Sequence, residues 1–167
     1  MRYILSFLLI ITFSLLAQAQ MEKYKAIFLY KFAQNFEWPS DKISENYKIG
    51  IFGDVPLYDE LIKLTNGRTI NGKSIEVVKY TPGNDLGTLC ILFISDKNKD
   101  TIELMSKAGK ASNTVIVGES PGLSKKGACI NFISNGNSLK FELNETNLKE
   151  SKVKASGSIK SLAILVN

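Results

Sequence analysis

The sequence predicts an α/β fold, a three-layer α/β/α sandwich around a mostly parallel sheet. Two observations support this prediction. Short apolar runs alternate with helical segments over residues 48–133, and such alternation is typical of βαβ units. One run, residues 89–94 (LCILFI), is almost wholly apolar, as in a strand buried on both faces. We expect the strand order 2-1-3-4-5, with a C-terminal hairpin adding a sixth, antiparallel strand at the edge.

Residues 1–19 have the features of a secretory signal peptide. A positive charge comes first, residues 5–16 are mostly apolar, and a small-residue A-Q-A site follows. The apolar run is shorter than the ~20 residues of a membrane span. We therefore expect cleavage near Ala19/Gln20, and an exported product in which residues 20–167 form a single domain.

Residues 24–39 predict a helix with an unusually wide apolar face. The segment contains six aromatic residues, including the only Trp. Four of them recur every four residues and so share one face: Tyr24, Phe28, Phe32 and Phe36. Because the residue before a proline is disfavoured in a helix, Trp38-Pro39 should end it. Two interpretations stay open, namely packing on the sheet alone, or packing together with a partner on the other side.

The first strand–helix unit has clear boundary signals. Residues 48–52 (KIGIF) read as the first strand. Asp54 is suited to cap a helix, Pro56 falls in its first turn, and leucines inside residues 57–64 supply its apolar face. An Asn-Gly turn then leads to residues 74–80 (SIEVVKY), which predict the second strand.

The remaining elements follow from the same kinds of signal. They are a helix over 99–108 that Gly109 ends, a strand over 114–117, a short helical turn after Gly122, hairpin strands over 128–133 and 138–143, a helix capped by Asn144, and an amphipathic helix over 158–166. No repeat or linker divides the chain.

The residue types exclude several kinds of chemistry. The chain has no histidine, so His-based triads, general bases and metal ligands are excluded. In this fold class a ligand crevice lies at the carboxyl ends of the strands, where Asp54, Ser95 and Glu119 should fall. Asp96 should fall there too. Three of these positions also suit structural roles: Asp54 as a helix cap, Asp96 in a turn and Glu119 at the start of a loop. We predict no catalytic residues, no metal and no cofactor.

The two cysteines predict free thiols. Cys90 belongs to the third strand and Cys129 to the fifth, with the fourth between them. Two strand spacings are ~9.6 Å, whereas a disulfide needs Cα atoms within ~7 Å. Both thiols should therefore be buried and unpaired, even in an exported protein.

The distribution of charge argues against nucleic acid as a partner. The formal net charge is +5, but the lysines are scattered and the longest run is Lys125-Lys126. Nucleic-acid-binding surfaces usually show a stripe of basic residues interleaved with aromatic residues. This sequence has no such stripe.

Several segments, in order, resemble the YfiR family. They are KAIFLYKFAQNFEWP (25–39), GDVPLYDEL (53–61), GRTINGKSIEV (67–77), LFIS (92–95), TVIVGESPGLSKKGACINF (114–132), LKFELN (139–144) and SIKSLA (158–163). Together they span nearly all of the mature chain. No single motif is specific, but their order and spacing are.

The resemblance implies a periplasmic protein with a Rossmann-like fold that forms homodimers. The best-understood members bind the periplasmic sensor portion of an inner-membrane diguanylate cyclase and hold it inactive in cyclic-di-GMP signalling. An outer-membrane lipoprotein relieves the inhibition by sequestering the repressor. Those members contain more cysteines, used in disulfides, than the two present here. A shared fold does not require a shared partner, and a membrane-bound histidine kinase is the alternative.

Two surfaces are candidates for partner binding. One is the aromatic helix, through Tyr24, Tyr30, Phe36 and Trp38. The other is the edge of the C-terminal hairpin, through Phe141, Glu142 and Asn144, where a partner strand could add to the sheet. The competing interpretation is ordinary core packing for both sets. The alternative function is a periplasmic small-molecule binding protein coupled to a membrane sensor, using the crevice at Asp54, Ser95 and Glu119.

Overall fold

The computed structural model describes the backbone of residues 2–135 and 138–167, and the side chains of 18–134 and 138–167. The described residues form five α-helices: α1 Arg2–Asn35, α2 Val55–Thr65, α3 Ile102–Ser112, α4 Glu145–Glu150 and α5 Gly157–Leu162. Short 3₁₀ turns lie at Leu86–Thr88, Asp96–Thr101 and Leu123–Lys126. Within this part of the chain, no helix combines the length and hydrophobicity of a membrane span.

The described strands are ten in number: β1 Phe36–Glu37, β2 Tyr47–Phe52, β3 Thr69–Ile70, β4 Lys73–Lys79, β5 Ile91–Ile94, β6 Val115–Gly118, β7 Ile130–Asn135, β8 Ser138–Asn144, β9 Lys154–Ala155 and β10 Ile164–Val166. Eight form one sheet in the order β10-β8-β7-β6-β5-β2-β4-β3. Strands β4, β2, β5, β6 and β7 pair in parallel, and β7 and β8 form the antiparallel hairpin. The predicted α/β fold and strand order are confirmed; residues 136 and 137 of the hairpin turn lie outside the described residues.

The sheet divides the core into two halves, as β5 shows. Ile91 and Phe93 pack with α1 and α2 on one side of the sheet. Leu92 and Ile94 point to the other side, against α3, because successive side chains of a strand alternate between faces. All four residues have no exposed surface. Helices therefore cover both faces, which gives the three layers.

The C-terminal edge of the sheet differs from the prediction. Residues 164–166 form β10, which pairs in parallel with β8 and places Leu165 beside Leu143. The predictions of one helix over 158–166 and of the hairpin strand as the edge are therefore wrong. Residues 163–166 (AILV) are uniformly apolar and cannot share one helix face, whereas as a strand they satisfy the free backbone groups of β8.

The end of α1 also differs from the prediction. The helix ends at Asn35 rather than at Trp38. Phe36 and the next residue form β1, which pairs antiparallel with β9. The backbone N–H of Ser156 also donates to the Asn35 carbonyl at 3.0 Å. Pairing with β9, more than a hundred residues away in the sequence, therefore ends the helix before it reaches Trp38-Pro39.

Both predicted helix caps are confirmed. Asp54 Oδ1 accepts from the backbone N–H of Leu57 at 3.0 Å. Asn144 Oδ1 accepts from that of Asn147 at 2.9 Å. These bonds satisfy backbone donors that a helix leaves unpaired in its first turn.

Gly109 does not end α3, contrary to the prediction. The helix continues to Ser112, and Asn113 ends it with φ +57°. Gly109 instead allows a close approach to β6. A Cβ atom there would lie 2.9 Å from the carbonyl oxygen of Thr114 and 2.8 Å from Ile116 Cγ1.

We expect Gly109→Ala to lower the free energy of unfolding by about 1–3 kcal/mol, because the new methyl group must displace backbone as well as a side chain. Gly157→Ala is the matched control. No atom lies within 4 Å of its added Cβ, so this helix substitution should be neutral or stabilising by up to about 1 kcal/mol. Urea denaturation measures both variants, and equal effects would contradict the close-approach role.

Candidate functional site

A cavity of about 510 Å³ lies at the carboxyl ends of β2, β5 and β6. It brings together the three residues predicted for a ligand crevice, Asp54, Ser95 and Glu119. Asp54 precedes α2, Ser95 follows β5, and Glu119 follows β6. Glu22 and Lys25 of α1 complete the polar wall. We call this cavity the crevice.

Lys25 is the centre of an ion network inside the crevice. Its Nζ atom lies 2.5 Å from Glu119 Oε2, 2.9 Å from Glu22 Oε1 and 3.7 Å from Asp54 Oδ2. Lys25 is 7% exposed and Glu22 is 6% exposed. One buried ammonium group thus neutralises part of the charge of three carboxylates. An arrangement of this kind is strongly destabilised when one partner is removed.

Backbone groups hold two of these carboxylates in place. Asp54 is fixed by capping α2. Glu119 Oε1 accepts from the backbone N–H of Asp96 at 2.9 Å. Asp96 in turn accepts from the Ser120 hydroxyl and from Lys99 Nζ, and these bonds lower its pKa. The loops after β5 and β6 are therefore cross-linked at the mouth of the crevice.

Burial acts on the pKa values of Glu22 and Lys25 in opposite directions. It raises the pKa of Glu22 to about 7, although Lys25 partly counteracts this rise. Burial alone would lower the pKa of Lys25, but the charges and hydrogen bonds of Glu119 and Glu22 together outweigh this effect, so the Lys25 pKa is raised. The lysine is therefore charged at all physiological pH values, whereas Glu22 changes charge near neutrality.

The raised pKa of Glu22 predicts a pH-dependent stability. Between about pH 4.5 and 7 the native state holds a proton that the unfolded state has lost, so stability falls as the pH rises. Relative to Glu22→Gln, the wild type should lose about 1–3 kcal/mol between pH 5 and 8. Urea denaturation of both proteins across this range measures the difference. Parallel stability curves would show that Glu22 does not titrate in this window.

The sequence interpretation missed Glu22 and Lys25. A signal was nonetheless present, because Lys25 lies on the same helix face as Leu29, Phe32 and Phe36. A charged residue inside an apolar stripe needs a buried partner. Lys25 has one partner on its own helix, Glu22, and two from distant segments, Asp54 and Glu119. Across the described residues, no group of three or more acidic or cysteine side chains has the arrangement of a metal site.

Four of the residues predicted for partner binding lie in the interior. Tyr30 and Phe36 of the aromatic helix are 8% and 6% exposed, and Phe141 and Asn144 of the hairpin are 1% and 4% exposed. The guanidinium of Arg68 covers the Tyr30 ring at 5.4 Å from its centroid. Tyr30, a candidate for partner binding in the sequence, is therefore packed in the core. These four side chains stabilise the fold and are not free to anchor a partner.

The other three predicted residues remain at least partly accessible. Tyr24 is 37% exposed. Trp38 is half-buried, with its ring 5.7 Å from that of Phe36. Glu142 accepts hydrogen bonds from the Ser124 hydroxyl and from an amide of β7, so its carboxylate is already engaged.

A different apolar surface lies at the end of the chain. Leu162, Ile164 and Leu165 are 66%, 44% and 53% exposed. Ile164 and Leu165 belong to β10, the terminal strand of the sheet, which pairs only with β8 within the described residues. We call these three residues the C-terminal edge. Ile164 and Leu165 point to opposite faces of the sheet, because successive side chains of a strand alternate. Exposed apolar side chains at a free strand edge are typical of interaction surfaces.

The two cysteines are free and buried. Cys90 precedes β5 and Cys129 precedes β7, and β6 lies between these strands. Burial raises the pKa of Cys90 to about 12 and also raises that of Cys129. Neither thiol therefore has the thiolate character of a reactive cysteine.

Comparison with protein-family models finds a match to the model described as YfiR/HmsC-like, over residues 22–164. The match begins at Glu22 of the crevice and includes Ile164 of the C-terminal edge. A search of curated proteins finds no match.

Proposed function

Because this chain belongs to the YfiR/HmsC-like family, we propose that it is a periplasmic regulator that binds and inhibits the sensor portion of an inner-membrane signalling protein. The partner is a diguanylate cyclase, with a histidine kinase as the alternative. The regulator works by binding and not by catalysis. The signal-peptide features of residues 1–19 support export and cleavage near Ala19/Gln20, which leaves residues 20–167 as one domain.

The observation that carries the proposal is the C-terminal edge. Leu162 precedes β10, and Ile164 and Leu165 belong to it; all three are exposed. Within the described residues β10 pairs only with β8, so its outer backbone groups are available for pairing. A partner strand added to β10 would gain main-chain hydrogen bonds, and Ile164 and Leu165 would gain apolar contacts. Tyr24 and Trp38 of the aromatic region provide a secondary candidate surface. The proposed partner-binding edge is therefore β10 and not the hairpin edge predicted from the sequence, because β10 covers that edge.

Inhibition follows if the regulator binds the inactive state of the sensor better than the active state. A ligand shifts a two-state equilibrium only through such a difference in affinity. Moving a sensor from mostly active to mostly inactive needs a preference of about 10⁴-fold. An outer-membrane lipoprotein that competes for the regulator would reverse the shift. A second copy of the chain, paired through the same edge, would form the homodimer and compete with the sensor.

A deletion strain tests this function. Loss of the regulator should raise the signalling output, measured as cellular cyclic-di-GMP or, for a kinase, as response-regulator phosphorylation. Complementation with the wild-type chain should restore the low level. If neither output changes on deletion, the inhibitory role is wrong.

A second candidate function is a small-molecule binding protein coupled to the same sensor. The specific observation in its favour is the buried Oε2 atom of Glu22, which lines the crevice and has no hydrogen-bond partner among the described residues. Small-molecule binding would add an input to the regulator, and it would not replace partner binding.

A further inference from the structure

Glu22 has an unused hydrogen-bond acceptor. Its Oε2 atom is buried and has no partner among the described residues, while Oε1 accepts from Lys25 Nζ. The residue is 6% exposed and lines the crevice. Buried polar atoms are nearly always hydrogen-bonded. Glu22 Oε2 is therefore suited to accept a bond from a donor outside the chain.

The charge around Glu22 selects the kind of donor. Lys25 is the ammonium group shared by Glu22, Asp54 and Glu119, so three carboxylates face one buried cation. The other lysine of the crevice wall, Lys97, is exposed. A positively charged ligand would offset this surplus of negative charge, and an anion would be repelled.

The other two carboxylates are less suited to bind directly. Asp54 Oδ1 and Glu119 Oε1 already accept from backbone N–H groups at 3.0 and 2.9 Å. A metal ion would need several free oxygens in one place, and no such group exists within the described residues. A group with N–H donors and a positive charge fits Glu22 better.

We propose that the crevice binds a small organic ligand through a primary ammonium group that donates to Glu22 Oε2. The cavity of about 510 Å³ lies within the range of ligand pockets. Ser95, 4% exposed, supplies a second contact. Its Oγ accepts from Asn98 Nδ2 at 3.1 Å, and its own proton can be donated to a polar group of the ligand.

The ionisation of Glu22 makes this binding depend on pH. Burial raises the pKa of Glu22 to about 7, and the ionised form is the one that attracts an ammonium group. Binding should therefore strengthen as the pH rises from 6 to 8. The charged groups that face Glu22 are Lys25, Asp54 and Glu119.

Gln18 lies one helical turn before Glu22 and lines the same crevice. The cleavage proposed near Ala19/Gln20 would remove it and widen access to Glu22. The proposed ligand site depends on the proposed function only through this cleavage, which is part of the export of the regulator. Binding is measured on the purified mature chain, so its outcome is independent of any membrane partner.

Isothermal titration calorimetry of residues 20–167 with ethylenediamine and putrescine tests the proposal. Tetramethylammonium and MgCl₂ serve as comparison ligands at equal ionic strength and pH 8. We expect saturable binding of at least one primary amine. Glu22→Gln should weaken it at least tenfold, whereas Glu103→Gln, the same change at an exposed site in α3, should not.

Several results would overturn the site. Equal binding of tetramethylammonium would show that charge alone is recognised, because this ion has no N–H donor. Binding of Mg²⁺ alone would make the crevice a metal site. No binding of either amine would mean that water or the chain itself satisfies Glu22. If Glu22→Gln fails to fold, wild-type affinity that does not rise between pH 6 and 8 would be the contradicting result.

Discussion

Lys25→Met should lower the free energy of unfolding by about 3–5 kcal/mol at pH 8, because it leaves buried carboxylates without their cation. Glu119 would lose a partner at 2.5 Å and Glu22 one at 2.9 Å. Methionine is unbranched and only one heavy atom shorter than lysine, so the change removes mainly the charge. Urea denaturation monitored by far-UV circular dichroism measures the loss.

Two further variants distinguish the effect of a buried ion network on stability from the effect of ion pairing in general. Lys63→Met breaks an exposed pair with Glu60 at 2.7 Å, and should leave the stability almost unchanged, because exposed ion pairs contribute little. The double variant Lys25→Met/Glu119→Gln removes one of the unpaired charges, so it should recover part of the stability lost by Lys25→Met alone. If Lys25→Met and Lys63→Met have the same small effect, the crevice is solvated and the network does not stabilise the fold.

Phe32→Ala should also cost about 3–5 kcal/mol, the range for aromatic truncation in a core. Phe32 has no exposed surface, and four aromatic rings surround it. Their centroids lie 5.1–6.1 Å away. The substitution would leave a cavity between α1 and the hairpin that rigid neighbours cannot fill. Urea denaturation of the variant against the wild type gives the loss.

Tyr24→Ala is the control for Phe32→Ala, since it truncates an aromatic ring of the same helix that is 37% exposed. Its cost should be below about 1 kcal/mol. A loss equal to that of Phe32→Ala would mean that the exposed ring also belongs to the core. A small loss for Phe32→Ala would instead show that α1 packs loosely on the sheet.

The sheet and its order could be predicted because their signals are local. The apolar run at β5 is typical of a strand in the middle of a parallel sheet, which is buried on both faces. Asp54 and Asn144 cap helices through bonds to residues three positions away. Short connections and right-handed crossovers then leave few possible orders for the strands.

The errors arose where distant segments decide the local structure. Residues 164–166 become a strand because β8 offers a free edge, which the tail itself does not reveal. Tyr30 is covered by Arg68, 38 positions later in the chain. The crevice network joins Lys25 to Asp54 and Glu119. The sequence around each of these three residues does not predict these two contacts.

The C-terminal edge has a matched control in Leu104 of α3, which is 67% exposed but lies away from any strand edge. Leu165 is 53% exposed in β10. Leu165→Lys and Leu104→Lys therefore make the same chemical change on two exposed leucines. Both variants should keep the wild-type melting temperature within a few degrees, because neither side chain is buried.

The most direct test of partner binding through the C-terminal edge is cellular cyclic-di-GMP in a deletion strain complemented with each variant. The wild type and Leu104→Lys should restore the low level, whereas Leu165→Lys should leave it high although the protein is folded and exported. If Leu165→Lys restores the low level as fully as the wild type, the C-terminal edge does not bind the partner.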